Sequence, residues 1–98
     1  MHRKVIWSKL AQNDFENILE YLHKNWDAAV LVNFIDITDI IIEQIKSNPK
    51  QFPLINKKYK VRKCVLTKQN TVFYRICKGN INILRVFDNR QDPQKLRF

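Results

Sequence analysis

The chain has 98 residues, 45% hydrophobic and 11% aromatic, with one glycine and three prolines. That is the composition of one globular domain over residues 1–98, and it excludes a disordered or fibrous chain. The net charge of +9 is segregated: residues 1–47 hold five Lys/Arg against seven Asp/Glu, residues 48–98 thirteen against two, which points to a polyanion or an acidic protein as partner.

Nothing reaches the roughly 18 uninterrupted apolar residues that span a bilayer. Met1–Ser8 is too short for a signal-peptide core, so the expected location is the cytoplasm with no membrane association. Two cysteines, Cys64 and Cys77, are too few for a disulfide framework and lack metal-ligand spacing, and neither has a histidine near it in sequence, since the only two are His2 and His23. No metal or cofactor is expected, and both thiols read as small apolar side chains.

In chain order, Lys4–Trp7 reads as a short strand and Ser8 as the N-cap of a helix to Lys24. Ala11, Phe15, Ile18, Leu19 and Leu22 recur at helical spacing on its one apolar face, and Asp14, Glu16 and Glu20 lie off it. Asn25-Trp26-Asp27 breaks the pattern and caps a second helix, Asp27–Ser47. That helix carries more apolar residues than one stripe needs, with Val30, Phe34, Ile37 and Ile41 in excess, so it requires cover from the first helix and a sheet, or from another protein. Asn48-Pro49 ends it.

Residues 50–60 form a basic connection anchored by Phe52 and Leu54. Three strands follow, Val61–Leu66, Thr71–Cys77 and Ile81–Phe87; the only glycine, in Lys78-Gly79-Asn80, suits a tight hairpin. The order β-α-α-β-β-β predicts an α+β domain, an antiparallel sheet with a helical hairpin packed on one face. Strict alternation puts Ile81, Ile83, Arg85 and Phe87 on one face of the last strand. It leaves the second sheet face cationic and partly roofed by Pro93–Phe98. Pairing Leu66 with Thr71 or Val72 sets Cys64 opposite Phe73 or Tyr74, well away from Cys77.

Cations beside aromatics on a strand surface suit RNA, with phosphates neutralised and unstacked bases resting on rings. The residues expected to meet a target or nucleic acid are Arg62, Tyr74, Arg75, Arg85 and Arg90. Cleavage also requires proton transfer. Arg62 and Arg90 supply charge, but the proton work falls to a lysine of lowered pKa, to Tyr59 or to Tyr74, because the basic half has no histidine. The plainer alternative has Arg75 and Arg85 lying along the sheet with heads in water, and Asp88 and Asp92 merely capping the turn around Arg90.

Taken together, "VIWSKLAQNDFENILEYL", "NW…A…F" opening the second helix, the proline after it, "VRKCVL", "VFYRI" and "INILRVFDNRQDPQKL" resemble the RelE/ParE superfamily, toxins of bacterial type II toxin–antitoxin modules. The resemblance covers nearly the whole chain. It implies a compact α+β toxin neutralised by a cognate antitoxin, in a heterotetramer or larger complex; the over-apolar second helix and the basic second half predict that this partner is an acidic and apolar segment that wraps the helical hairpin at Val30, Phe34, Ile37 and Ile41 and reaches the basic sheet. RelE-like members cut mRNA on the ribosome, metal-independently, with Lys, Arg and a tyrosine near the C-terminus; ParE-like members poison DNA gyrase and have no established catalytic residues. The resemblance sets Arg62 and Arg90 where the nucleases keep arginines, and Lys58 and Lys60 near their lysines. Leu96 stands about where they keep the tyrosine, which favours the ParE-like, non-enzymatic branch with gyrase as target; the ribosome and its mRNA are the alternative. A non-toxic nucleic-acid-binding module is the third possibility.

Overall fold

A computed structural model describes residues 3–98; Met1 and His2, the start of the segment read as too short for a signal-peptide core, lie outside the described residues. The elements are β1 (Val5–Trp7), α1 (Lys9–Asn25), α2 (Ala28–Ser47), β2 (Leu54–Asn56), β3 (Val61–Val65), β4 (Asn70–Cys77) and β5 (Asn80–Asp88). They form the expected α+β architecture. Strand order is β1-β5-β4-β3-β2; β1 runs parallel to β5 and the other pairs are antiparallel, so the sheet is mixed. The added strand is β2, inside the basic connection. None of the described helices is long and apolar enough to cross a membrane.

Both helix starts are capped as the sequence predicts. The Ser8 hydroxyl accepts from Ala11 N–H at 3.0 Å and donates to Leu84 C=O at 2.8 Å, while its own N–H reaches Ile83 C=O at 2.9 Å. One residue thus caps α1 and ties it to β5. Asp27 accepts from Val30 N–H at 3.3 Å to cap α2.

The apolar stripe of α1 and residues Phe34, Ile37, Ile41, Ile42 and Ile45 of α2 pack on a sheet face of Cys64, Leu66, Val72, Tyr74, Ile81, Ile83 and Val86. Phe34 belongs to this core at 5% exposure. The excess apolar character of α2 is therefore largely absorbed within the fold. A smaller cluster on the opposite face joins Val61, Phe73 and Phe87 with Leu84 and Leu96. Phe98 stacks edge-on against Phe73, ring centroids 5.5 Å apart, so the tail does roof that face.

Two register expectations are corrected. Phe73 pairs with Arg85 but Tyr74 with Ile83, so Leu84 is the extra residue of a β-bulge. Beyond it the alternation inverts: Val86 joins Ile81 and Ile83 in the core, whereas Phe87 packs on the other side. At the next hairpin Leu66 N–H bonds to Asn70 C=O, not to a residue further on, and this puts Cys64 opposite Val72 rather than Phe73 or Tyr74. Thr67 and Asn70 fix the turn by a side-chain hydrogen bond of 2.9 Å. Both cysteines are free, and burial pushes the Cys64 thiol up to about 11, which argues against a nucleophile there.

Candidate functional site

β1 covers only the first half of β5, leaving the strand's far half without a neighbour on that edge. Asp14 on α1 supplies the missing partner. Its carboxylate accepts from Val86 N–H at 3.1 Å and from Arg85 Nε and Nη2 at 2.7 and 2.9 Å, and Arg85 Nη1 reaches on to the Arg97 carbonyl at 2.9 Å. Both side chains are more than four-fifths buried, and Asp14 keeps Arg85 above its ordinary range. Arg85 is thus a strand-edge fastener, not a free charge on an open sheet.

Beside this pair opens a cleft of about 400 Å³ between α1, α2, the end of β5 and the β3–β4 loop. Ile18, Leu22, Val30, Phe34, Ile37 and Val86 make its apolar lining, and Asn33, Gln69, Asp88 and Arg90 lie among its polar residues. Arg90 is gripped by Asp88 through Nε at 3.0 Å and Nη2 at 2.8 Å and lies 5.6 Å above the Tyr21 ring. The ion pair raises the Arg90 pKa and lowers that of Asp88. The pairing of Asp88 with Arg90 is as the plainer reading has it, and Asp92 caps the next turn by accepting from Gln94 N–H at 2.9 Å.

A model of the ParE toxin of the parDE type II toxin–antitoxin system matches residues 5–93. The chain belongs to this ParE toxin family. Among solved structures, that of the chromosomal ParDE system from P. aeruginosa matches with a TM-score of 0.67 at 17% identity, covering 89% of this chain and 96% of that one. The YoeB/ParE toxin from Agrobacterium tumefaciens gives 0.63 at 15%, covering 87% and 97%. The YoeB–YefM complex from Staphylococcus aureus gives 0.60 at 11%, covering 88% and 95%. Among curated proteins none is significantly similar in sequence.

In this ParE-family chain the expected cations do not converge. Lys58 and Lys60 sit in the β2–β3 turn, at the Arg75 end of the strands, whereas Arg90 follows Asp88 at the Asn70 end. Arg62 pairs with Tyr74 and faces the helices; its guanidinium donates to the carbonyls of Phe52 at 2.7 Å and Lys50 at 3.3 Å. Arg75, next along from Tyr74, points to the other face, where its Nε is buried without a partner.

Tyr74 itself is corrected. It is fully buried, its hydroxyl donates to Pro49 C=O at 2.6 Å, and burial lifts its pKa to about 12, so it offers neither a ring for a base nor a proton at neutral pH. Phe34 is corrected in part, since its ring is mostly core at 5% exposure and only its edge reaches the cleft wall. Ile37 and Ile41 are half-buried against the same core, and Val30, 36% exposed, opens to the cleft. The Asp14–Arg85 and Tyr21–Arg90 pairs were not legible in the sequence: contacts across 71 and 69 positions leave no local signal. Among the described residues no cluster of His, Cys, Asp or Glu could hold a metal ion.

Proposed function

We propose that the chain is the growth-inhibiting member of a type II toxin–antitoxin pair, that it acts in the cytoplasm by binding DNA gyrase, and that an acidic antitoxin silences it. The observation that carries the gyrase branch is the dispersal of the would-be nuclease residues. Lys58 and Lys60 lie at the opposite end of the sheet from Arg90, Arg90 is engaged by Asp88, Arg62 is spent on backbone carbonyls, and Tyr74 is buried. RNA cleavage needs a proton acceptor and donor within reach of one phosphate; of the two tyrosines that could serve, Tyr74 is buried and Tyr59 lies with Lys58 in the β2–β3 turn, at the far end of the sheet from Arg90. A protein interface needs only shape, apolar area and complementary charge.

The cleft supports the antitoxin half of the reading. Its apolar lining with a polar rim suits an amphipathic segment, and of the expected antitoxin surface Val30, Ile37 and the edge of Phe34 line it. The Staphylococcus aureus neighbour is a YoeB–YefM complex, which favours a protein partner here as well. A larger toxin–antitoxin assembly such as a heterotetramer fits the same surface.

Induced expression without antitoxin should arrest growth, and the purified protein should inhibit supercoiling by gyrase. Unchanged supercoiling at micromolar excess, together with ribosome-dependent new 5′ ends on translated messages, would move the protein to the nuclease branch. Normal growth would favour a non-toxic nucleic-acid-binding module.

A further inference from the structure

The outer face of α2 carries apolar residues that the fold leaves uncovered. Val32 and Ile40 are 54% and 58% exposed. Asp36, Asp39 and Glu43 fall with them inside about a third of the helix circumference, opposite the core residues Phe34, Ile41 and Ile45. The cleft uses Val30, Asn33 and Ile37, so this is a different surface. Among the described residues Asp36 and Asp39 make no ion pair, and Glu43 has only Lys46, at 3.4 Å. An apolar, acidic face thus stands open on a chain of net charge +9.

Its complement stands at the end of the same helix. Residues 50–63 carry six of the chain's eighteen cations and no carboxylate, and among the described residues none of the six is ion-paired. Leu54, Ile55 and Tyr59 are exposed among these cations. Gln51 Nε2 donates to Gln44 C=O at 3.1 Å, and Arg62 donates to the carbonyls of Lys50 and Phe52. These bonds hold the basic corner against the C-terminal end of α2. Two patches of opposite sign, each with its own apolar residues, therefore adjoin.

We infer that the adjoining patches are a homodimer interface, in which the outer face of α2 in one copy meets the 50–63 corner of the other, and the reverse, about a two-fold axis. Adjacent patches of opposite sign are self-complementary under such a rotation, so one axis makes both contacts and closes the assembly. Val32 and Ile40 on one side and Leu54, Ile55 and Tyr59 on the other supply the apolar area that charge pairing alone lacks. The like net charge of the two copies opposes approach, but a Debye length of about 8 Å at physiological salt screens it while pairs in contact persist. An acidic partner of another kind would cover the corner and leave Val32 and Ile40 bare; a second copy covers both. Edge-to-edge pairing of β2 with its copy fits less well, because β2 has three residues and is bulged between Leu54 and Asn56. The inference stands whether or not gyrase is the target.

The test is analytical ultracentrifugation of the purified full chain at about 5–200 µM in about 150 mM salt, which should show a monomer–dimer equilibrium and nothing larger. Asp36→Lys with Asp39→Lys, and separately Lys57→Glu with Lys58→Glu, should each weaken dimerisation at least about thirty-fold. Mixed in equal amounts, the two variants should dimerise as the parent does, because reversed patch then faces reversed patch and native faces native. One chain carrying all four substitutions should also dimerise as the parent does. It keeps the parent's net charge and all four sites are exposed, so its recovery rules out misfolding as the cause of the losses. Lys68→Glu with Lys95→Glu, equal in net charge to the Lys57 and Lys58 variant, should dimerise no more weakly than the parent. A parent still monomeric at about 200 µM, separate variants that dimerise as tightly as the parent, or no recovery in the mixture would each overturn the proposal. So would species beyond a dimer that grow with concentration, since they mark a head-to-tail contact that does not close.

Discussion

Asp14 is the residue on which the geometry of the cleft turns. It lies off the apolar face of α1, where its spacing gives it no role, yet its carboxylate collects three donors from β5. Asp14→Ala should destabilise the fold by about 2–3 kcal/mol, read as a fall in the urea midpoint at constant slope, because it leaves Arg85 and Val86 N–H buried without their acceptor. Arg85→Met in the same background should cost much less than in the parent, since the uncompensated charge goes with it. A second residue-scale effect concerns pH. Cys64 and Tyr74 are acids whose folded-state values, about 11 and about 12, lie above their ordinary 9.0 and 10.0. The native state therefore holds those protons longer than the unfolded chain. Stability is unaffected by them below pH 9 and falls as pH rises through 9–11 for the thiol and 10–12 for the phenol. Each contributes on the order of 2 kcal/mol across its window. Cys64→Ala should remove the first part of that alkaline slope in thermal melts, whatever it does to stability at pH 7.

At the scale of elements, the two helices were legible because i, i+4 periodicity and side-chain caps are local. Ser8 and Asp27 do cap them, one residue before each helix begins. The strands were legible as segments but not in their faces. One inserted residue, Leu84, inverts the alternation, and nothing in Ile81–Phe87 marks which residue bulges. β2 was missed because three residues between a proline and a lysine-rich turn carry no periodic signal. The β4–β5 hairpin was read from its glycine, and its geometry exposes a cost: Lys78 and Gly79 have φ of 53° and 79°, the pair of positive values that a two-residue hairpin turn requires. Lysine adopts that region reluctantly, whereas asparagine is favoured there. Lys78→Asn should stabilise the fold by about 0.5–1 kcal/mol, a rise in melting temperature of several degrees. Gly79→Ala should do the opposite by about 1 kcal/mol, although open space surrounds the new methyl, because the penalty lies in the backbone.

Across the whole molecule, the charge imbalance in the sequence survives folding only in part. The sheet half does hold the excess, but Arg85 and Arg90 are neutralised and Arg62 and Arg75 face opposite ways, so the free positive potential concentrates at the 50–63 corner rather than over one sheet face. Charge and apolar area are therefore separated in space, and that separation makes a kinetic prediction for the antitoxin. Long-range attraction between an acidic partner and the basic half governs encounter, while burial in the cleft governs residence. Raising NaCl from about 50 to about 500 mM should slow association at least ten-fold and change dissociation less than about three-fold. Val30→Asp puts a charge on the cleft wall at a position already 36% exposed, so the fold should persist while dissociation accelerates ten-fold or more. Stopped-flow binding to the purified antitoxin measures both rates. If Val30→Asp slowed association and left dissociation unchanged, the apolar contact would lie elsewhere, and the exposed Val32 and Ile40 on the outer side of α2 would be the surface to change next.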